Sequence, residues 1–211
     1  TNKKLNFLEK SKYFLAGVGK ENFSSDYIKS DNGQNIFHKE EFYSELTFHY
    51  WFWKNKLNVN DNNWIGFCQK RRFWIKKESL GKKINLSNFN DHFLFNTPRE
   101  WENFDAIVCD PISVHSVKKI KLIKRGFKSI LKDPSILLNK NKETIALHFD
   151  MHHGYGNINK AIEVMDIEDK SQFKEFVNTS TEFNPHLMFI SKPRIINKWF
   201  ETLFPWLERC E

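Results

Sequence analysis

Glycine and proline are scarce here, at 8 and 6 of 211 residues. The glycine-built phosphate loops are absent. There is no Gly-x-x-x-x-Gly-Lys-Ser/Thr and no Gly-x-Gly-x-x-Gly, which excludes the common P-loop and dinucleotide fingerprints by motif. Gly-x-Ser-x-Gly is missing too, and with it the serine nucleophile elbow. Asp-x-Asp, the usual metal-holding pair of nucleotide-sugar enzymes, does not occur. Cysteine is limited to Cys68, Cys109 and Cys210. This odd, widely spaced set has no Cys-x-x-Cys and no zinc spacing, so it builds no disulfide framework. Cys68 and Cys109 stand in apolar runs and are expected to be buried thiols in a reducing compartment. No apolar run reaches 18 residues and no signal peptide is visible. The expected location is therefore cytoplasmic, with the inner face of the membrane as its variant.

Aromatic residues are plentiful: 21 Phe, 7 Trp and 5 Tyr. With a hydrophobic content of 40% over 211 residues, the chain can bury a good core. It reads as one domain, 1–211, rather than a disordered chain. The net charge of +7 fits either a solvated basic surface or attraction to polyanions, nucleotides or an anionic membrane. The run Lys118 to Arg125 alternates lysines with aliphatics. It reads as part of a basic helix over 116–132, packed with its basic face outward, with an anionic leaflet as the alternative. No nucleic-acid motif accompanies the charge.

Along the chain, 14–19 reads as a short strand, followed by a polar loop with an Asn-Gly turn at Asn32-Gly33. From Lys39 to Lys56 the spacing is helical, with Phe42, Leu46, His49, Tyr50 and Trp53 on one face. Glu40, Glu41 and Glu45 lie toward its start and Lys54 and Lys56 at its end, as the helix dipole favours. Trp64 to Trp74 reads as a buried strand stopping on Arg71-Arg72. A second strand spans 105–109 and ends at Asp110-Pro111. Helices are expected over 157–165 and 171–177 and after Pro193, and a strand over 187–190. The stretch 141–150 is ambiguous. Strands alternating with helices indicate an α/β fold.

Four groups of residues can carry chemistry. Arg71 and Arg72 follow an apolar strand, where α/β folds bind ligands. Paired guanidiniums there suit a diphosphate, because the planar fork grips phosphate oxygens two at a time. Plain surface arginines are the alternative. His148, Asp150, His152 and His153 fall within six residues. They can ligate zinc or iron, contact or activate a substrate, or cap local structure. The loop Asp31-Asn32-Gly33-Gln34-Asn35 offers amides to a ribose or base edge, or is a simple turn. Asn184 and His186 precede the 187–190 strand.

Several of these segments together resemble one family. The stretch Phe42-Tyr43-Ser44-Glu45-Leu46-Thr47-Phe48-His49-Tyr50-Trp51-Phe52-Trp53-Lys54-Asn55, followed by Trp64-Ile65-Gly66-Phe67 and Arg71-Arg72-Phe73, is similar to the DUF4422 pattern "Y-x-E-L-T-x-x-Y-W-x-W-K-N … Y-x-G-x-x-H-Y-R-R-Y/F". The loop 31–36 resembles that family's "D-x-x-G-x-N-I-S", 105–108 its "Y-D-I-I-L", Asn184 and 188–190 its "N-M-F-I-M", and Trp206-Leu207 its closing "E-W-L-F". The resemblance spans roughly 13 to 209, and the block from Trp53 to Arg72 is its specific part. Three departures stand out. Gln69-Lys70 replaces the family's His-Tyr, the strand ahead of Gly17-Val18-Gly19 is degenerate, and the family's "G-F-L-x-E-R" segment is not found. A chain trimmed at both ends is the expectation these last two raise.

The family comprises bacterial capsular and surface-polysaccharide glycosyltransferases. The resemblance implies a GT-A-like, Rossmann-type mixed sheet flanked by helices. It implies transfer of a sugar from a nucleotide-sugar donor to a glycan or lipid-linked acceptor. On this reading Asp31, Asn32, Gly33 and Asn35 contact the nucleoside. Lys54, Asn55, Arg71 and Arg72 hold the diphosphate, and Asp110 offers a carboxylate to Mn²⁺ or Mg²⁺ where one is used. Asp150 with His153 is the expected general base, and Glu45 the second candidate. Asn184, His186 and His152 line the acceptor side. The rival expectations are a metal-dependent hydrolase on His148, Asp150, His152 and His153, and a non-catalytic glycan- or nucleotide-binding domain.

Overall fold

The structure is a computed structural model that describes residues 13–85, 87–116 and 119–211. In chain order the strands and helices are β1 (Leu15–Gly17), β2 (Tyr27–Lys29), α1 (Glu40–Tyr43), α2 (Leu46–Asn55), β3 (Ile65–Phe67), α3 (Phe89–His92), β4 (Ala106–Val108), β5 (Ile112–Ser113), α4 (Lys119–Arg125), α5 (Phe127–Lys132), α6 (Ile145–His153), α7 (Asn157–Glu163), α8 (Ile167–Thr179), β6 (Glu182–Phe183), β7 (Phe189–Ser191) and α9 (Pro193–Cys210). The fold is mixed α/β. Where the family resemblance implied one Rossmann-type sheet, the described strands form three small sheets: β1-β2, β3-β7-β4 and β5-β6. Strands of two or three residues give each ladder few hydrogen bonds, so packing of side chains carries most of the cohesion. The chain divides into two compact units. The first is 1–107 with 187–200, and the second is 108–186 with 201–211.

In the first unit, β3 runs antiparallel to β7 with Phe67 opposite Phe189, and β1 lies parallel to β2. The core is aromatic. Phe67 packs on Phe189 at 5.0 Å between ring centroids, and Phe189 meets Trp199 edge-on at 4.8 Å. Phe200, on α9, is fully buried among them. A second cluster gathers Tyr13, Phe73, Phe93 and Phe95, with Phe73 stacked on Phe93 at 4.9 Å. Residues 74–76 and 92–94 pair around it through Lys76 N–H to His92 O and Leu94 N–H to Trp74 O.

The helix expected over Lys39 to Lys56 is broken. Ser44 takes φ 46°, a left-handed conformation uncommon outside glycine, and separates α1 from α2. Its carbonyl accepts from both the backbone N–H and the hydroxyl of Thr47, which holds the new start of the helix. The break changes the buried face. Tyr43, Thr47, His49 and Trp51 are inside, whereas Phe42 is 84% exposed. The basic helix expected over 116–132 is likewise divided at Gly126 into α4 and α5. The ambiguous 141–150 stretch resolves into the start of α6, capped by the Thr144 hydroxyl.

His49 shows how an aromatic core treats an imidazole. Its ring lies 4.4 Å from Phe67 and 5.9 Å from Phe200, and its buried Nδ1 has no hydrogen-bond partner among the described residues. Burial pulls its pKa down to about 3. The unfolded chain binds this proton near the ordinary histidine value of about 6.5. Stability is therefore full above about pH 6.5 and falls as pH drops toward 3, by at most about 1.4 kcal/mol per pH unit. We expect His49→Phe to flatten the melting-temperature profile over this range. An equally steep acid decline in the variant would assign the proton uptake elsewhere.

In the second unit, Leu122, Ile136, Leu147 and Met151 form one cluster, and Ala146, Ile158, Ile162 and Val177 another. The 201–210 part of α9 packs here. Trp206 donates to Ala161 O at 2.7 Å, and Arg209 reaches Val164 O and the Asp166 carboxylate.

Candidate functional site

The loop proposed to meet the nucleoside is held by the end of α2. Asn55 donates to Gln34 O at 2.8 Å and accepts from Gln34 N–H at 3.1 Å, while also capping Trp51 O. Trp51 donates its indole N–H to Asn32 Oδ1 at 3.1 Å. Asn35 spans the turn, donating to Gly33 O and accepting from Phe37 N–H. Gly33 has φ 58°, and a side chain there would run into Asn55. The glycine is therefore required twice, by its backbone and by its neighbour. Structure thus brings Asn32, Gly33, Asn35 and Asn55 together, with Asp31 exposed at the rim. Much of the polar capacity of these side chains is spent on shaping the loop. At its head Ser30 is fully enclosed and its hydroxyl has no partner among the described residues, a feature the sequence did not flag.

Arg71 and Arg72 do not end a strand. β3 stops at Phe67, the last residue opposite β7. The arginines sit on a tight turn closed by Arg72 N–H to Gln69 O at 3.1 Å. Both are exposed, and among the described residues no carboxylate pairs with either. Gln69, which stands where the family pattern has His, anchors the turn. Its amide donates to Glu45 Oε2 at 2.8 Å and accepts from Arg72 Nη1 at 3.4 Å. Glu45 thus holds the arginine turn through Gln69. The signal for Gln69 was the departure from the family pattern itself. Cys68, expected to be buried, has an exposed surface. Desolvation around its sulfur, with the nearby Glu45 carboxylate, still pushes the thiol up to about 11. The Lys54 ammonium lies over the Trp53 ring, 3.3 Å from its centroid.

The histidine cluster belongs to the second unit and lies on α6. His148 and His152 are one turn apart with their rings tilted and 4.5 Å between centroids, and His152 Nδ1 lies 2.8 Å from His148 O. Asp150 falls on another side of the helix, as a two-residue step of about 200° requires. It accepts from Gly156 N–H at 3.1 Å. Burial raises the Asp150 pKa, and the Gly156 hydrogen bond opposes part of that rise. His153 packs on Phe149 at 4.5 Å. His148 lines a small cavity with Val114, Leu122, Glu143, Thr144, Leu147 and Met151. Burial lowers its pKa first, and electrostatic repulsion from His152, Lys121 and His153 adds to this. Asn184 reaches Cys109 O at 3.5 Å and accepts from His186 N–H, so it ties its loop to the end of β4. Asp110 is exposed beside it in sequence.

Among the described residues no three His, Cys, Asp or Glu side chains gather as a metal-holding group. Of the four residues of the hydrolase alternative, only His148 and His152 face each other; Asp150 lies on another side of α6 and His153 packs on Phe149, so these four do not form a metal-holding set.

A family model described as "Domain of unknown function (DUF4422)" matches residues 1–211. The chain belongs to the DUF4422 family. The block from Tyr43 to Arg72 that carries the family pattern is also where α2, β3 and the arginine turn are tied together. The DUF4422 chain shares its fold with the WbbM bifunctional glycosyltransferase in its apo structure, with a TM-score of 0.60 at 20% identity. That likeness covers 87% of this chain and 31% of WbbM, so the chain spans about a third of that protein. No curated protein sequence matches the DUF4422 chain. No described helix is long and apolar enough to cross a membrane. The degenerate strand expected ahead of Gly17 falls largely on residues 1–12, outside the described ones; β1 itself is present.

Proposed function

We propose that this chain is a glycosyltransferase, on a GT-A-like frame, that moves a sugar from a nucleotide-sugar donor to a growing capsular or surface polysaccharide. The observation that supports it most is the shared fold with a bifunctional glycosyltransferase over 87% of the chain. In the first unit, the loop 31–35 contacts the nucleoside, and Arg71 and Arg72 grip the diphosphate. The departing nucleoside diphosphate gains negative charge as the glycosidic bond breaks. Cations fixed in advance at that position stabilise the transition state more than the ground state. Lys54 assists after leaving the Trp53 face. In the second unit, Asp150, with His153 near it in sequence, is assigned to take the proton of the acceptor hydroxyl, and His152, Asn184 and His186 to contact the acceptor. Glu45 acts by holding the arginine turn.

A thermal-shift screen against UDP-, GDP-, CMP- and dTDP-sugars, with and without Mn²⁺, should give one stabilising donor class. Arg71→Ala with Arg72→Ala is then expected to weaken that donor by about 3 kcal/mol or more, on the order of a hundredfold, since hydrogen bonds to charged groups contribute about 1.5–3 kcal/mol each. Unchanged affinity in calorimetry ends the clamp assignment. Donor binding with no transfer to any glycan acceptor would support the non-catalytic binding domain instead.

A further inference from the structure

Sequence alone assigns 116–132 to a packed helix with a basic outer face. In the structure part of its apolar residues are outside as well. Ile120 is 70% exposed, Phe127 56% and Leu131 66%, with Ile123 also exposed, while Leu122 is buried. The junction at Gly126 keeps helical hydrogen bonding, through Gly126 N–H to Leu122 O and Ile130 N–H to Gly126 O. Helical angles can therefore be read across it. At about 100° per residue, Ile120, Ile123, Phe127 and Leu131 fall within an arc of about 80°. Lys121, Lys124, Arg125, Lys128 and Lys132 occupy the adjoining arc. Leu122, Gly126 and Ile130 turn inward. No acidic residue lies between Lys119 and Lys132, and the next one, Asp133, is already paired with Lys142 at 2.6 Å.

We propose that this outer face of α4 and α5 docks on an anionic lipid bilayer. The apolar stripe enters the boundary between headgroups and acyl chains, about 5–10 Å deep. The neighbouring lysines and Arg125 meet the lipid phosphates. An aliphatic-aromatic stripe beside a cationic stripe is the pattern of an interfacial helix, and contiguous exposed apolar residues mark contact surfaces. Charge selects the occupant. A second copy of this face would oppose cation to cation, and a neutral protein groove would leave the basic stripe unmatched, whereas an anionic leaflet satisfies both stripes. The inference does not depend on the donor chemistry proposed above.

The test is sedimentation of the chain with vesicles of phosphatidylcholine alone and of phosphatidylcholine mixed with phosphatidylglycerol. Binding is expected to the mixed vesicles and to weaken with salt. Each lysine neutralised at a membrane surface should cost about fivefold, so Lys124→Gln with Lys128→Gln should weaken binding by roughly thirtyfold. Phe127→Ser with Leu131→Ser should weaken it at least about tenfold even at low salt, since buried apolar area drives insertion. Both pairs change exposed residues, so melting temperatures should hold. Equal binding to both vesicle types, no binding to either, or binding indifferent to the serine pair would each overturn the proposal. So would a dimer in size exclusion that the serine pair abolishes while vesicles remain unbound.

Discussion

Asp150→Asn is expected to lower sugar-transfer turnover by about 10²–10⁴-fold, the usual range for loss of a positioned general base. The substitution separates charge from shape. Asn keeps an oxygen that can accept from Gly156 N–H, a hydrogen bond that orients Asp150. What it removes is the ability to take a proton. The direction of the pKa shift sharpens the result. Burial raises Asp150, so its ionised form is held at a cost to the folded state near neutral pH. Neutral Asn removes that cost. Folding stability at neutral pH should stay level or rise while turnover collapses, a pairing that a merely structural carboxylate would not produce. On the proposed function, turnover of the unsubstituted chain should fall on the acid side as Asp150 takes up its proton, at a pH above the ordinary carboxylate value of about 4. Near-normal turnover in Asp150→Asn, measured with any donor that the thermal-shift screen identifies, would eliminate Asp150 as the base.

Phe200→Ala should be the most damaging single change to the first unit. The side chain has no exposure. Its ring lies within 5.0 to 6.4 Å of five others: Trp199, His49, Trp53, Phe67 and Phe189. Cutting a buried Phe to Ala costs about 3–5 kcal/mol, from lost transfer energy and the cavity left behind. Total stabilities are about 5–15 kcal/mol, so the unit would be close to unfolding. The control is Phe42→Ala. Helical spacing places Phe42 on the inner face, but the break at Ser44 leaves it 84% exposed, so its loss should stay within about 0.5 kcal/mol. Urea unfolding of the two variants measures both. Equal midpoints would mean that the core is not organised around Phe200.

Much of the frame was legible beforehand, for reasons that lie in local chemistry. The strand near 15–17, the helix ending at Asn55, the strand at 65–67 and the final helix after Pro193 all follow from short-range patterns of apolar residues and from proline. The Asn-Gly turn at Asn32-Gly33 was legible because φ above zero at Gly33 is a backbone requirement. The family pattern in 42–73 was legible because its aromatic and charged residues recur at fixed spacing. Other features were not. Ser44 breaks a helix that no glycine or proline interrupts. Arg71 and Arg72 lie on a turn whose position depends on where β7 ceases to pair with β3. Gln69 between Glu45 and Arg72 joins residues 24 and 3 positions apart, and the enclosed Ser30 hydroxyl depends on neighbours from elsewhere in the fold.

The amino-acid sequence by itself determined the family, the α/β class and the residue types available to the proposed site, since each follows from identity and spacing along the chain. Only the tertiary structure decided which of those residues are spent on holding one another, as Asn55 is on Gln34, and which, among the described residues, stand free of carboxylates, as Arg71 and Arg72 do. It also decided that Ile120, Ile123, Phe127 and Leu131 of α4 and α5 face outward beside the lysines. Helical periodicity states which residues share a side. Which side is covered depends on what the rest of the chain packs against it.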